Sequence, residues 1–339
     1  MSHIRVRILW MITFVMLVIP VWPQEIRNAP APVFRDPITD GAADPVLVYN
    51  PFEKSWWMLY TQRRANVETA GVAYCYGNDI GIASSHDNGR SWRYRGTLDL
   101  AVERGKNTFW APEVVWHNGT YHMFVTYIQG VTSHWSGRAR MSHYTSTNLW
   151  DWKHEGFVTL SSGDVIDATL CQLPDGNWRM WYKADNISMY SDSKDLFTWK
   201  NYSEPAIRDQ AHEGPKAFRF KGSYWMITDQ WAGMGVYRSA DLDKWTKQPG
   251  PILDSGSSRP DDRPSGAHGD VVVVGDKAYI FYFTHPGRTK HTEASTDKNG
   301  NIPYDLRRSS IQVAALDVVN GQLVVVDRDK PFDFYLPDL

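Results

Sequence analysis

Carboxyl groups recur at corresponding points of a repeated pattern in this sequence. Asp44, Asp167 and Glu213 each open a segment in which a strand, a turn and an aromatic strand follow one another. If these segments converge on one channel, the like charges repel, so that one carboxyl pKa is raised while another stays low. Cleavage of a glycosidic bond needs that difference, because one carboxylic acid protonates the leaving oxygen while a carboxylate activates water. The sequence therefore predicts a catalytic cluster of these three residues.

The two remaining copies of the pattern open with residues that suit the same site. Trp110 and His268 stand where the other copies have a carboxylate. In a radial array of sheets the first strand of each sheet lines the central channel, which brings all five opening residues to one mouth. A flat indole can support the apolar face of a sugar ring, so we predict that Trp110 binds substrate. His268 is expected to line the channel as a hydrogen-bonding residue.

The elements that must position these residues are five similar hairpins. They read DPVLVYNPFEKSWWMLYTQ from Asp44, WAPEVVWHNGTYHMFVTY from Trp110, DATLCQLPDGNWRMWYKAD from Asp167, HEGPKAFRFKGSYWMITDQW from His212 and HGDVVVVGDKAYIFYFTH from His268. Aligned on their turns, four copies place an aromatic residue eleven positions after the opening residue, and the first copy is one residue longer. This alignment treats the five opening residues as equivalent.

Each of these hairpins is followed by a second one, in which a Ser-rich polar turn usually precedes a Trp. These second hairpins begin near Ser84, Ser146, Ser191 and Ser239, and the last unit has a variant from Ile311. Two hairpins per unit, repeated at intervals of roughly fifty residues, predict a five-bladed β-propeller with four antiparallel strands per blade. A β-sandwich would explain the alternation and the turns but not the repeated Ser-to-Trp hairpin.

Composition narrows the possible partners and the domain count. The 339 residues carry a net charge of -2, which gives no electrostatic reason to expect nucleic acid or an anionic membrane as partner. The repeats cover nearly the whole chain, and a hydrophobic content of 42% is enough for a large core. We therefore expect residues 42–339 to form a single catalytic domain. No oligomeric state is predicted.

The N-terminal 24 residues have the layout of a secretory signal. Two arginines precede an apolar run, 8–22, that is too short for a comfortable membrane span. The small-residue cleavage pattern is poor, so the segment 1–24 is expected to be a signal peptide or an N-terminal anchor. The Pro-rich segment 25–41 is expected to be an extended arm on the propeller. The predicted location is secreted or periplasmic, without stable membrane insertion after signal cleavage.

At the residues that open the hairpins, the chain resembles glycoside hydrolase family 43 and its five-bladed relatives. Four short motifs carry the resemblance, in the order Ala43-Asp44-Pro45, Phe109-Trp110-Ala111-Pro112-Glu113-Val114, Val165-Ile166-Asp167 and His212-Glu213-Gly214-Pro215. The resemblance implies that Asp44 is the general base and Glu213 the general acid. It implies that Asp167 tunes the pKa of the acid and orients it.

The resemblance also implies an activity. It points to an exported, inverting glycoside hydrolase that acts on oligosaccharides from plant or algal polysaccharides, and the long loops favour exo action. Inversion requires that the carboxyl groups of Asp44 and Glu213 lie about 6.5–9.5 Å apart. A separation near about 5 Å would instead mean retention of configuration, as in families 32 and 68. The candidate sugars are α-L-arabinofuranose, β-D-xylose, galactose and an anhydro-sugar. No cofactor is required.

Further polar residues are expected to contact the substrate. Glu113 stands in the blade-two motif where family 43 more usually has Asp. Relatives in family 117, which cleave anhydro-sugar units of algal galactans, implicate a His in acid catalysis, and this keeps His212, His268 and His285 as candidates. In some members of family 43 the blade-five His helps to hold a metal ion. One His without companion ligands is a weak metal signal, so no metal ligand is predicted, although a structural Ca²⁺ or Na⁺ held largely by water is possible in the channel.

The loops supply several cations that could recognise an acidic or sulfated sugar. Arg263 and His285 are the leading candidates, together with Arg63, Arg64 and Arg288. The same kind of cluster would suit phosphate.

Three other functions fit part of the pattern. A non-catalytic carbohydrate-binding propeller would keep the aromatic residues but need no acids on opposite sides of a bound ring. An interaction propeller would bind partners at its outer or rim face. A glycoside phosphorylase, as in family 130, would need clustered cations, for which Arg259, Arg263 and Arg288 are candidates. The presence of all three carboxyl positions favours the hydrolase.

Overall fold

The structure is a computed structural model that describes residues 27–293 and 295–339. The predicted signal peptide or anchor, 1–24, lies outside the described residues. In the part of the chain that is described, no helix has the length and apolarity needed to cross a bilayer.

Twenty strands form five sheets in the described residues. Blade one contains β1 (Ala42–Asn50), β2 (Ser55–Gln62), β3 (Asp79–Ser85) and β4 (Arg93–Thr97), and blade two contains β5 (Asn107–His117), β6 (Thr120–Gln129), β7 (Arg140–Ser146) and β8 (Lys153–Phe157). Blade three contains β9 (Ile166–Gln172), β10 (Trp178–Ala184), β11 (Ile187–Ser193) and β12 (Trp199–Asn201), and blade four contains β13 (Glu213–Phe220), β14 (Ser223–Asp229), β15 (Met234–Ser239) and β16 (Thr246–Lys247). Blade five contains β17 (Ala267–Val274), β18 (Lys277–Thr284), β19 (Ser310–Val319) and β20 (Gln322–Val325), and the described helices are a 3-10 turn (Ala73–Cys75) and α1 (Tyr304–Arg307).

Every sheet has the same topology. Its four strands are hydrogen-bonded in chain order, and each neighbouring pair is antiparallel. Five such sheets arranged as blades confirm the predicted five-bladed β-propeller with four strands per blade.

The hydrophobic core lies between the blades, and strand periodicity explains why. Successive side chains of a strand point to opposite faces of the sheet. In β2, Trp57 and Leu59 pack toward blade two, whereas Trp56, Met58 and Tyr60 pack toward blade five. All five are buried, so β2 contributes to both neighbouring cores.

The repeated Ser-to-Trp pattern is a turn with a specific hydrogen-bond arrangement. Between β7 and β8, the Ser146 hydroxyl accepts the backbone N–H of Leu149 at 2.9 Å, and the Trp152 indole donates to the Leu149 carbonyl at 2.8 Å. Leu149 has a positive φ of 67° and is fully buried. The Ser-capped turn recurs at Ser193 and Ser239. The sequence signal is therefore a side-chain cap that fixes the outer hairpin of blades two, three and four.

A β-bulge interrupts the first strand of every blade and sets the register of the candidate site. Two residues on the first strand lie opposite one residue on the second strand, and the first of the two has a left-handed backbone. These first bulge residues are Asp44 (φ 49°), Ala111 (46°), Asp167 (58°), Gly214 (53°) and His268 (25°). Only Asp44, Asp167 and His268 are therefore equivalent among the predicted opening residues. Trp110 and Glu213 precede their bulges by one residue.

The alignment on turns was therefore wrong by one residue for Trp110 and Glu213. The physical reason is that the aromatic residue used as a marker does not hold one place on the second strand. Blades four and five both have two-residue turns, at 221–222 and 275–276, but Tyr224 is the second residue of β14 and Tyr279 is the third residue of β18.

The ring is closed by the two ends of the described chain. Blade five consists only of C-terminal strands, so no strand is exchanged with blade one. Instead, Phe34 pairs with Ile311 of β19 through backbone hydrogen bonds of 2.9 and 3.2 Å. Near the other end, the carbonyl of Pro337 accepts a 2.8 Å hydrogen bond from the Trp56 indole, and Leu336 donates to the Asn88 carbonyl at 3.1 Å. The N-terminal arm thus holds blade five and the C-terminal segment holds blade one.

Candidate active site

The three predicted catalytic carboxyls line one cavity together with His268. We call Asp44, Asp167, Glu213 and His268 the mouth cluster. Nδ1 of His268 lies 3.6 Å from Oδ1 of Asp44 and 4.0 Å from Oδ1 of Asp167. Burial lowers the pKa of His268, but the carboxylates of Asp167 and Asp44 outweigh burial and raise it above its ordinary value. The blade-five His is therefore an electrostatic partner of both aspartates.

Arg63 supplies the nearest fixed positive charge to Asp44. Its Nη2 lies 3.4 Å from both carboxylate oxygens of Asp44, and its guanidinium lies over the Phe283 ring at 4.7 Å. Both contacts to the carboxylate are long for a charge-assisted hydrogen bond. Asp44 therefore lies near a cation without a short hydrogen bond to it.

Asp167 holds a proton more readily than Glu213 does. Burial and the nearby charge of Glu213 raise its pKa to about 6, although His268 opposes the shift. Its Oδ2 accepts the N–H of Gly214 at 3.1 Å, which ties blade three to the strand that carries Glu213.

Glu213 forms an ion pair that the sequence did not predict. Nζ of Lys183 lies 2.9 Å from Oε2 of Glu213. Burial raises the pKa of Glu213, but Lys183 outweighs burial, so the pKa is lowered overall. In the protein without ligand, Glu213 is therefore held in its ionised form.

Lys183 occupies a position that has a different role in other blades. There, the side chain on the second strand accepts a hydrogen bond from the bulge N–H of the next blade, as in Thr61, Thr126 and Asp229. Lysine cannot accept, so the N–H of Gly214 donates to Asp167 and Lys183 turns to Glu213. The equivalent residue of blade five, Phe283, cannot accept either, so an alignment of the second strands would have identified Lys183 as the charged one of two exceptions.

The cavity has a volume of about 630 Å³ and one aromatic wall. Ring centroids of Trp110 lie 4.9 Å from Tyr76 and 6.1 Å from Trp135. The Trp110 indole donates to the Cys75 carbonyl at 2.6 Å, which fixes its plane. Trp135 is 64% exposed, so one face of this wall is open to a ligand. Trp110 lines the cavity, while Tyr76 and Trp135 were missed because they lie in loops outside the repeat.

Loops from three blades meet over one side of the cavity. The insertion of blade one, 63–78, bonds to the blade-five loop through Gly71 N–H and the Gly300 carbonyl, at 2.9 Å. It bonds to the blade-two loop through Val72 N–H and the Ser133 carbonyl, at 3.0 Å. These contacts close the cavity on the side of blades one and five.

Several predicted substrate-binding residues do not line this cavity. Glu113 is buried beside Lys216 of β13 in blade four, with Nζ of Lys216 2.7 Å from Oε2 of Glu113. His212 is fully buried, and its two ring nitrogens lie 2.7 Å from Ser188 Oγ and the Gln210 carbonyl. Arg263 is exposed and donates to the Pro286 carbonyl at 3.0 Å. Each of these side chains contributes to internal or loop structure, whereas His285 does line the cavity.

The predicted arginine cluster is likewise divided. Arg64 donates to the carbonyls of Tyr76 and Ala73 within the insertion, and Arg259 donates to the carbonyls of Val313 and Pro30. Among the predicted loop arginines, Arg63 and Arg288 line the cavity. The phosphate cluster of Arg259, Arg263 and Arg288 is therefore not assembled.

The residues around His268 do not fit a protein-held metal ion. No group of three or more His, Cys, Asp or Glu side chains with metal-binding geometry occurs in 27–293 or 295–339. Nearby, the ammonium of Lys216 already lies 2.7 Å from carboxylate oxygens of both Glu113 and Asp270.

No protein-family model and no curated protein sequence matches the chain, whereas solved structures do. A thermostable family-43 glycoside hydrolase is 20% identical with a TM-score of 0.62, and the match covers 88% of this chain and 99% of that one. A family-43 β-1,3-galactosidase bound to galactodeoxynojirimycin is 15% identical with a TM-score of 0.64, covering 89% and 99% of the two chains. An exo-1,5-α-L-arabinanase from a bovine ruminal metagenomic library is 17% identical with a TM-score of 0.59, covering 86% and 99%. The chain shares the five-bladed propeller fold of these hydrolases.

Proposed function

We propose that this protein is a glycoside hydrolase that releases terminal sugars from oligosaccharides with inversion of configuration. The observation that carries the proposal is the meeting of Asp44, Asp167 and Glu213 in one cavity beside an aromatic wall. The solved relatives include a galactosidase and an arabinanase, which supports a carbohydrate substrate. The sugar is drawn from arabinofuranose, xylose, galactose and anhydro-sugar units of plant or algal polysaccharides.

In this proposal Glu213 and Asp44 act on opposite sides of the glycosidic bond. Glu213 donates a proton to the glycosidic oxygen as the bond to the anomeric carbon breaks. Asp44 accepts a proton from the water that adds to the other face of that carbon. Asp167 does not touch the reacting atoms; its charge, close to Glu213, favours the protonated acid. Lys183 opposes that protonation, so the balance between Asp167 and Lys183 sets the pH at which Glu213 can act.

Exo action and export complete the proposal. Exo action is supported by the three loops that close one side of the cavity, because a chain of sugars cannot continue through a closed end. Secretion or a periplasmic location is supported by the apolar run at 8–22 preceded by two arginines. A structural Ca²⁺ or Na⁺ ion held mainly by water takes no part in the proposed chemistry.

The first experiment compares sugar release by the wild type and Glu213→Gln on a panel of plant and algal oligosaccharides. We expect the variant to lose about 10²-fold or more in kcat/KM, because general acid catalysis contributes that much. Glu204→Gln makes the same chemical change at a side chain that is 80% exposed, and it should release sugar like the wild type. Proton NMR of the first product formed tests inversion directly.

Equal release by the wild type and Glu213→Gln would exclude Glu213 as the acid. The second candidate function is a carbohydrate-binding propeller without catalysis, and the 2.9 Å Lys183–Glu213 ion pair favours it, since it keeps Glu213 ionised. Binding of a glycan by both proteins without any release would support that candidate.

A further inference from the structure

The blade-five side of the cavity is lined by cationic and imidazole groups. We call Arg63, Tyr74, His285, Arg288 and His291 the blade-five lobe. Arg288 comes from the blade-five loop, and its Nη2 donates to the Tyr74 hydroxyl of the blade-one insertion at 2.9 Å. The lobe therefore lies where the two closing loops meet.

The lobe carries more positive charge than its partners neutralise. Arg63 has Asp44 at 3.4 Å, but Arg288 forms no ion pair among the described residues. Its Nε and Nη1 donate to the carbonyls of Leu306 and His291 at 2.6 and 2.5 Å, and both acceptors are neutral. Among the described residues, the two guanidinium groups thus have one carboxylate, that of Asp44, within ion-pair distance.

One carboxylate near Arg288 is committed elsewhere. Glu293 also lines the cavity, but its oxygens accept the N–H and hydroxyl of Thr289 at 2.8 and 3.0 Å and the Ser295 hydroxyl at 3.0 Å. The positive charge of Arg288 is therefore not locally neutralised by an ion pair.

The pKa values of the two histidines of the lobe are lowered, first by burial and then by the nearby arginines. Burial, Arg288 and Arg63 lower the pKa of His291 to about 4, and burial and Arg288 lower the pKa of His285 well below its ordinary value. Both imidazoles are therefore neutral near pH 7 and can serve as hydrogen-bonding groups.

Buried polar atoms in the lobe lack partners in the described protein. Nδ1 of His291 has no hydrogen-bond partner although the residue is only 9% exposed, and Nε of Arg63 is also unpartnered. The Tyr74 hydroxyl accepts from Arg288, and its own proton faces the sulfur of Cys75, a weak acceptor that a ligand oxygen can replace. An unsatisfied buried polar atom is costly, and a ligand that bonds to it recovers that free energy.

We propose that the blade-five lobe binds an anionic substituent, a carboxylate or a sulfate ester, on the terminal sugar of the substrate. This rests on the proposed glycosidase function for the identity of the bound sugar. Guanidinium groups favour planar carboxylates and sulfate-like oxygens because the donors form a fork, and Tyr74 and His291 add neutral hydrogen bonds. Since Arg63 of the lobe lies 3.4 Å from Asp44, the substituent belongs to the same sugar whose anomeric carbon faces Asp44.

The test measures binding of monosaccharides in galacto, gluco and manno configurations, each as the neutral sugar, the uronate and the 6-sulfate. Titration calorimetry is carried out on the wild type, Arg288→Met and Arg288→Lys. We expect at least one acidic sugar to bind the wild type tenfold or more tightly than its neutral counterpart. Arg288→Met should reduce that preference below threefold, and Arg288→Lys, which keeps the charge but not the fork, should retain part of it. Arg219→Met, at an exposed position on blade four, should keep the full preference.

The uronate and 6-sulfate arms distinguish the two sources of negative charge. If no acidic sugar binds the wild type more tightly than its neutral counterpart, or if Arg288→Met leaves the preference intact, the inference is wrong. It is also wrong if release requires inorganic phosphate and yields a sugar 1-phosphate, because the anion would then be a co-substrate. If Arg288→Met does not fold, loss of the preference in Tyr74→Phe and its partial retention in Arg288→Lys support the lobe.

Failure of the lobe and failure of the proposed function give different results. Arg288-dependent binding of acidic sugars without release of any sugar would refute the hydrolase and leave the lobe standing. Glu213-dependent release of neutral sugars without any acidic preference would refute the lobe and leave the hydrolase standing.

Discussion

Two layers of charged residues on the same first strands differ sharply in how completely they are paired. The inner triad consists of Glu113, Lys216 and Asp270, each the first residue after a bulge. Nζ of Lys216 lies 2.7 Å from an oxygen of each acid. The second oxygens of Glu113 and Asp270 accept the backbone N–H groups of Leu170 and Leu47 at 3.1 and 2.8 Å. Every charge in this layer has short partners.

In the mouth cluster, only a few residues away, Glu213 has a short ion pair with Lys183, at 2.9 Å, but the two aspartates and His268 have longer ionic contacts. The shortest distance from Asp44 to a cation is 3.4 Å, and His268 stands 3.6 and 4.0 Å from the two aspartates. The aspartates of the mouth cluster are as buried as the acids of the inner triad, but the mouth cluster lines the cavity and the inner triad does not. Removing one partner from a complete buried set of charges is destabilising, whereas charges with incomplete partners can exchange protons with a ligand.

The largest expected effect is on stability, from removing the centre of the inner triad. Lys216→Met leaves Glu113 and Asp270 buried without their counterion, which typically costs about 3–5 kcal/mol. Urea unfolding should show a decrease of that size in the free energy of unfolding.

Lys221→Met is the matched control for this change. Lys221 pairs with Asp317 at the surface, where both side chains are about two-fifths exposed, at 41% and 43%. An exposed ion pair contributes about 1 kcal/mol or less. If Lys216→Met and Lys221→Met had the same free energy of unfolding, the buried triad would contribute no more to stability than an exposed ion pair.

A change in the mouth cluster should affect titration more than stability. Lys183→Met removes the cation that lowers the pKa of Glu213, so that pKa should rise. In the proposed mechanism the alkaline limb of kcat/KM then moves to higher pH, because the acid keeps its proton longer. Carbon-13 NMR titration of the glutamate carboxyls measures the shift without substrate, and Lys221→Met again serves as control. A Glu213 pKa that is unchanged or lower would show that Lys183 does not set it.

The sequence was sufficient for the number and order of blades. Repetition of the hairpins, with Ser-capped turns such as that at Ser146, encodes the outer hairpins locally, so a single sequence reveals them. Register was harder, because the bulges and not the turns align the strands. Ala111 and Gly214 carry no chemistry that would mark them as equivalents of Asp44.

The carboxyls and two arginines that line the cavity, Arg63 and Arg288, were among the sequence candidates, but Lys183 was missed. Asp44, Asp167 and Glu213 stand in recognisable motifs, but the pairing of Lys183 with Glu213 depends on contact between blades three and four. His291 lies in a long loop whose path no local pattern predicts. Such contacts arise only once the ring has closed, so spacing along the chain does not reveal them.

The smallest expected effect concerns Asp229, which belongs to neither layer but ties blade four to blade five. Its carboxylate accepts the N–H groups of Trp231 and His268 at 2.7 and 3.0 Å. Burial and the charge of Glu213 raise its pKa to about 7, above the value of about 3.9 expected for an unfolded chain. The folded protein therefore binds this proton more tightly than the unfolded chain does. The stabilising contribution is complete below about pH 4 and is lost as the pH rises through about 7.

Comparing Asp229→Asn with the wild type separates the contribution of Asp229 from that of groups whose effect on stability changes with pH in the opposite direction. Buried histidines with lowered pKa values, such as His285 and His291, make the wild type more stable as the pH rises through 6.5, so its own curve mixes both trends. The histidines are common to both proteins, so their contribution cancels in the difference. Unfolding free energies measured from pH 5 to 8 should show the largest wild-type advantage at pH 5. That advantage should shrink by at most about 1.4 kcal/mol per pH unit. Parallel curves would mean that Asp229 is ionised throughout, and hence that the inter-blade tie, like the inner triad, is fully paired.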